Sequence, residues 1–171
     1  MTPNRSRTFV SLLCTGGAAA ALLLFGTGGS RAGDGVNTGY FGNVAILGYD
    51  PVAYFTDGRA TMGSPKISKK WLGATWYFAS VQHRDAFVSE PVRYAPQFGG
   101  FCTAGMSAKE ASANLDPEAW RIVDGKLFLF SGREGLEEDF DADPAAIITK
   151  AAAEWPAVEA KEFEARAAAA N

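Results

Sequence analysis

Trp120-Arg121-Ile122-Val123-Asp124-Gly125-Lys126-Leu127-Phe128-Leu129-Phe130 is the stretch from which the fold can be read. Two β-rich runs flank an Asp-Gly pair. A two-residue type I′ turn needs positive φ at both positions, and Asp-Gly is one of the few pairs that adopts it readily. Residues 120–130 are therefore expected as a hairpin. Working toward the N-terminus, residues 67–73 and 75–79 read as a second hairpin, with Leu72-Gly73-Ala74 near its turn. Trp76, Tyr77 and Phe78 suit a strand buried on both faces.

Helices flank these hairpins. Ser80 is a good N-cap for a helix over 81–89, which Pro91 closes. Val81, Phe87 and Val88 supply its apolar side, with Gln82, His83, Arg84 and Asp85 facing elsewhere. A short turn over 92–95 precedes Pro96. Earlier, 44–47 is an apolar run expected as a short strand, and Asp50 caps a helical turn over 51–55 that starts with Pro51. Gly99-Gly100 opens the run 101–106, where two glycines imply close backbone approach or a bulge more than an ordinary strand start. Asp143-Pro144 starts a helix that reaches Trp155 and stops at Pro156. Ten acids lie between Glu134 and Glu164 against Lys150 and Lys161, the pattern of a solvated acidic face. Strands in the middle and helices at the end predict an α+β fold: a small antiparallel sheet with hairpins, packed against short helices and a C-terminal helix. No internal repeat is evident.

The N-terminus has a different composition. Arg5 and Arg7 precede an apolar run over 9–25, and Ser30-Arg31-Ala32 offers small residues for cleavage, the layout of a secretory signal peptide. Residues 1–32 are thus expected as a signal peptide, 33–42 as a flexible lead-in, 43–158 as the domain, and 159–171 as a helical or disordered tail. The chain is expected to be exported, with the periplasm as its place. Membrane contact follows only if the first segment stays uncleaved. Residues 1–32 hold three Arg and no acid, so their removal takes the net charge from −3 to −6. Such a charge disfavours nucleic acid as a partner. Of the two cysteines and one histidine in the 171 residues, Cys102 and His83 then remain. No internal disulfide, Cys-x-x-Cys or four-ligand zinc set can be made from them.

Cys102 is the most informative residue. It lies among Gly99, Gly100 and Gly105, with Met106 four positions on. Thiolate plus thioether is a soft pair suited to Cu(I), and in an extended strand the two share one face. Cys and Met are also common core residues. His83, in the first turn of its helix, reads either as a surface histidine, as a third ligand, or as a base for Cys102. Tyr54, Trp76 and Tyr94 could line an aromatic groove or fill the core.

Several motifs, in order, resemble the YHS-domain proteins of bacterial cell envelopes. They are Gly48-Tyr49-Asp50-Pro51-Val52-Ala53-Tyr54-Phe55, Gly73-Ala74-Thr75-Trp76-Tyr77-Phe78-Ala79-Ser80, residues 91–102 ending in Gly99-Gly100-Phe101-Cys102, residues 116–129 from Asp116-Pro117 to Phe128-Leu129, and Trp155-Pro156. The likeness covers about residues 40–158. It implies a small exported α+β module in a group associated with metal binding, whose recurrent cysteine matches Cys102. The sequence departs from the pattern at Thr103-Ala104-Gly105-Met106 and at Phe130-Ser131-Gly132-Arg133.

Three functional readings follow. In the first, the chain is a non-enzymatic module that binds copper or another transition-metal ion through Cys102, with Met106 and His83 as further ligands. Its partners would be the metal and either another envelope protein or a second copy through Cys102. In the second, it is a metal-free binding or scaffold domain using the groove around Tyr54, Trp76 and Tyr94. In the third, it is a thiol enzyme in which His83 activates Cys102.

Overall fold

The Asp124-Gly125 pair makes the turn its chemistry dictates, with φ of 50° and 71°. It joins strand β3 (Asp116–Val123) to strand β4 (Lys126–Phe130). Leu72-Gly73 does the same, with φ of 48° and 70°, between β1 (Ser64–Trp71) and β2 (Ala74–Phe78). The computed structural model describes residues 35–39 and 42–169. Residues 1–32, expected as a signal peptide, lie outside these residues. Each antiparallel hairpin is a separate two-stranded sheet. Around them run short helices α1 (Ala53–Thr56), α2 (Val81–Ser89), α3 (Pro91–Tyr94) and α4 (Thr103–Ser107), a wide π-type segment at Gly135–Phe140, and the long α5 (Pro144–Ala169). The fold is α+β, as expected.

The two hairpins are copies of one design. In the first, Ser64 pairs with Phe78, Ser68 with Tyr77, Lys69 with Trp76, Lys70 with Thr75 and Trp71 with Ala74. Adding 52 to each number gives the second: Asp116 with Phe130, Trp120 with Leu129, Arg121 with Phe128, Ile122 with Leu127 and Val123 with Lys126. The break in register between Ser64 and Ser68 recurs between Asp116 and Trp120. The same offset relates two left-handed triplets that precede the hairpins. Ile46, Leu47 and Gly48 have φ of 41°, 57° and 84°, and Phe98, Gly99 and Gly100 have 52°, 61° and 83°. Asp50 and Cys102 follow at the same offset, and each accepts a hydrogen bond from an amide of the next turn. The chain therefore contains a repeated unit. Few identities mark it in the sequence: Gly48/Gly100, Pro65/Pro117, Gly73/Gly125 and Phe78/Phe130.

Packing explains where other expectations fail. The expected strand at 44–47 is instead a tight turn, Ala45–Gly48, because Ile46 folds back into the core around Trp76 and Phe78. The run 101–106 is not extended either; it enters α4. The strand buried on both faces is β4 rather than β2. Leu127 and Leu129 face the core of the first unit, while Phe128 and Phe130 face the second core with Leu136 and Phe140. A continuous apolar run suits a strand between two cores.

Helix α2 starts where Ser80 caps it, the Ser80 Oγ accepting from the His83 amide at 3.1 Å. Only Phe87 is buried on it, at the centre of Trp71, Trp76 and Phe78, while Val81 and Val88 are exposed. Residues 35–39 of the expected flexible lead-in are docked. The buried Asn37 side chain donates to the Gly100 and Ala113 carbonyls and accepts from the Gly39 amide. Pro156 does not end α5. Its missing N–H would have bonded the Ala152 carbonyl, and both residues lie on the exposed face, where water can serve that oxygen. Trp155 and Val158 pack against Phe101 and Met106 and hold the helix across the proline.

Candidate functional site

The three expected metal ligands go to three different places. Cys102 is a buried free thiol at the N-cap of α4. Its Sγ accepts from the Gly105 amide at 3.5 Å and from the Ser131 hydroxyl at 3.3 Å, amid Phe128, Phe130 and Phe140. Met106 is fully buried in another cluster with Phe101 and Ala151. Strand spacing would have aligned the two sulfurs. A cap residue instead turns its side chain back over the helix start, whereas Met106 points onto α5. His83 sits in a third place, against Asp50, Thr56 and Asp57. Among the described residues no three His, Cys, Asp or Glu side chains gather to hold a metal ion. Cys102, Met106 and His83 do not fit a metal as one donor set, and no metal chemistry is derived from them.

His83 is held by Asp50, which is a hub as well as the expected helix cap. Asp50 is fully buried, and its carboxylate accepts from the Val52 amide at 2.9 Å, the Ala79 amide at 2.7 Å and His83 Nδ1 at 2.7 Å. It thus joins the turn into α1, the end of β2 and the start of α2. On the other ring edge, His83 Nε2 lies 3.3 Å from Thr56 Oγ1. Carboxylate, imidazole and hydroxyl in a row are the parts of an acyl-transfer triad. The Thr56 hydroxyl has one proton, however, and two acceptors lie nearer to it than His83 Nε2: Asp57 Oδ1 at 2.8 Å and the Val52 carbonyl at 3.2 Å. Thr56 is therefore not a nucleophile prepared by His83. Nor is Cys102, whose partners share nothing with those of His83. This network reads as structural.

The expected aromatic groove is also rearranged. Tyr54 is buried, with its hydroxyl donating to the Pro117 carbonyl at 3.1 Å and its ring edge-on to Trp120. Burial, aided by Glu118, pushes its phenol well above the ordinary range, so it stays neutral. Tyr94 packs edge-on against Phe55. Of the three residues only Trp76 lines the pocket described next. This pocket of about 200 Å³, partly open to solvent, is lined by Trp71, Trp76, Phe98 and Trp155, with Gly35, Gly99, Gln97 and Glu159 also in its wall. Trp71 and Trp76 come from hairpin β1–β2 with ring centroids 5.8 Å apart. Phe98 comes from the second left-handed triplet and Trp155 from α5, with centroids 6.2 Å apart. Trp155 could have been suspected from its place in a helix otherwise rich in Ala and Glu. Phe98 could not, because only the positive φ of its triplet aims it there.

No family model, curated protein or solved structure matches the chain. No helix among the described residues is long and apolar enough to cross a membrane.

The geometry makes a direct prediction for Cys102. With 3% of its surface exposed, alkylation of the folded protein by iodoacetamide should run at least about 100-fold slower than in urea, since reaction needs local opening. Rates read by intact mass check this. Equal rates in the two states would place the thiol at the surface and restore it as a candidate site.

Proposed function

We propose that the chain is an exported, non-enzymatic binding module whose working site is the aromatic pocket, and that it holds a small molecule there. The supporting observation is the cavity among Trp71, Trp76, Phe98 and Trp155. Aromatic side chains in a domain of this size ordinarily close on one another. These four, from hairpin β1–β2, the second left-handed triplet and α5, instead line an open pocket of about 200 Å³ together with Leu72, Val92 and Pro96. Concave, mostly apolar walls with few polar groups are what small-molecule sites share. The resemblance to exported YHS-domain proteins supports an envelope location.

The four tryptophans of the sequence provide the test. Trp71, Trp76 and Trp155 line the pocket, whereas Trp120 packs on Tyr54 and does not. In a fragment screen followed by ¹H–¹⁵N correlation spectra, ligands should shift the three pocket indole N–H signals and leave that of Trp120 in place. Trp155→Ala should weaken such binding about tenfold or more, the usual scale for removing an aromatic anchor. A screen in which no compound moves the three indoles selectively would overturn the reading.

A further inference from the structure

We infer that the face around Leu47 and Met62 docks on an anionic lipid surface. The inference is independent of the pocket and starts from the repeat. Leu47 occupies, at φ 57°, the position that Gly99 fills in the second unit at 61°. Left-handed backbone costs a leucine energy that a glycine avoids. Ile46, strained in the same turn, is buried in the core, which offsets its cost. Leu47 has no such return, because it is 46% exposed. Met62, 58% exposed, meets the same turn. A Cβ at Gly48 would lie 3.2 Å from the Tyr77 ring and 3.7 Å from the Met62 Sδ. Leu47, Met62 and the half-buried Tyr77 thus form one apolar patch outside the core.

Charge points to what covers it. Between Asp57 and Asp85 the chain carries Arg59, Lys66, Lys69, Lys70 and Arg84 and no acid, although its net charge is −3. Arg59 and the three lysines are exposed, and among the described residues they make no ion pair. Ser68 pairs with Tyr77 and Lys70 with Thr75, so alternation puts Ser68, Lys70 and Tyr77 on one face of the hairpin. In the second unit Lys66 and Lys70 correspond to Glu118 and Ile122, so the repeated backbone does not require cations there. Lysine on an edge strand also guards against strand pairing, but that role has no use for Leu47 and Met62 in the open. Three apolar side chains fall far short of the roughly 20–30 residues a side of a stable protein interface. A bilayer needs no matching shape: apolar tips enter its interface and lysines meet its anionic headgroups, each adding separately.

The test uses the full chain with ¹³C-methyl methionine and phosphatidylcholine vesicles carrying a spin-labelled lipid, with or without an equal share of phosphatidylglycerol. Met106 is fully buried and serves as the internal control. With phosphatidylglycerol the Met62 methyl signal should broaden several-fold more than that of Met106, and the excess should shrink as salt rises. This ratio reads which face turns to the lipid, whether or not residues 1–32 are attached. Leu47→Gly installs the residue of the second unit and relieves the strain, so it should fold at least as well as wild type and still lose most of the excess. Lys66→Gln with Lys70→Gln should raise the lipid concentration needed for half the effect about 25-fold, at about fivefold per lysine. Equal broadening of Met62 and Met106, the same ratio without phosphatidylglycerol, or an unchanged ratio in Leu47→Gly overturns the inference. So does a Met62 signal that shifts with protein concentration in the absence of lipid, which would give this face to a second copy of the chain.

Discussion

Asp50→Ala is expected to lower the stability of the folded chain by about 3–5 kcal/mol, the cost of breaking a buried charged network from one side. The carboxylate is fully buried and accepts three hydrogen bonds, from Val52 N, Ala79 N and His83 Nδ1. Alanine leaves two backbone amides and an imidazole edge without an acceptor, and a buried polar group left unpaired costs about 1–3 kcal/mol. These donors belong to the α1 turn, the end of β2 and the start of α2, so the loss loosens three elements together. Asp50→Asn keeps the shape and one acceptor oxygen but turns an amide N–H₂ toward other donors. It should fall between wild type and alanine. His83→Ala should cost less than Asp50→Ala, because the ring is partly in water and its loss frees one oxygen that still has the Ala79 amide. Urea unfolding at constant m reads all three. An Asp50→Ala variant within 1 kcal/mol of wild type would remove Asp50 from the centre of this unit.

The hairpins and the start of α2 were legible because their signals are local. Asp124-Gly125 sets its turn by its own backbone preferences, Gly73 supplies one positive-φ position of the other turn, and Ser80 caps from its own position. What escaped depends on residues far apart in the chain. Ile46 and Phe98 take positive φ although neither residue favours it, because each side chain is drawn into a core that the sequence does not display. Pro156 reads as a stop until Trp155 and Val158 are seen gripping Phe101 and Met106. The repeat escaped because it is conserved in backbone and register, not in side chains. Its equivalent positions hold Asp50 in one unit and Cys102 in the other, and the residue after each second strand is Ala79 or Ser131. Seen that way, Cys102 occupies the place that a structural carboxylate fills in the first unit. A donor reaches it from the residue after β4, as one reaches Asp50 from the residue after β2. Its prominence in the sequence came from being the one cysteine left beyond the expected cleavage point, and its surroundings are those of a core position. The pocket was legible only in part. Trp76 was foreseen, while Trp71, Phe98 and Trp155 meet only when the two units and α5 pack together.

Gly99→Ala should be among the most damaging small substitutions in the chain, and the damage should reach the pocket. Gly99 has φ +61°, a left-handed conformation that costs an L-residue about 1–2 kcal/mol. Gly125 shares the cost with φ +71°, yet a Cβ there meets nothing within 4 Å. At Gly99 an added Cβ would overlap the Gly35 carbonyl oxygen and crowd the Trp155 ring at 3.0 Å. Neither can yield in place. The backbone at 35–39 is pinned by the bond from the Asn37 amide to the Gly99 carbonyl at 2.8 Å, and Trp155 is wedged against Phe98 and Phe101. The least costly response is to expel residues 35–39, losing the buried Val36 and the hydrogen bonds of Asn37. We therefore expect Gly125→Ala to cost about 1 kcal/mol and Gly99→Ala more than about 3 kcal/mol. Chemical denaturation measures the difference. In the Gly99→Ala protein the Trp155 indole signal should move and ligand binding should weaken, because Gly35, Gly99 and Trp155 all line the pocket. In Gly125→Ala both should stay as in wild type. Equal losses of stability for the two alanines would mean that backbone conformation alone accounts for Gly99, and that the 35–39 segment is not what seals the site.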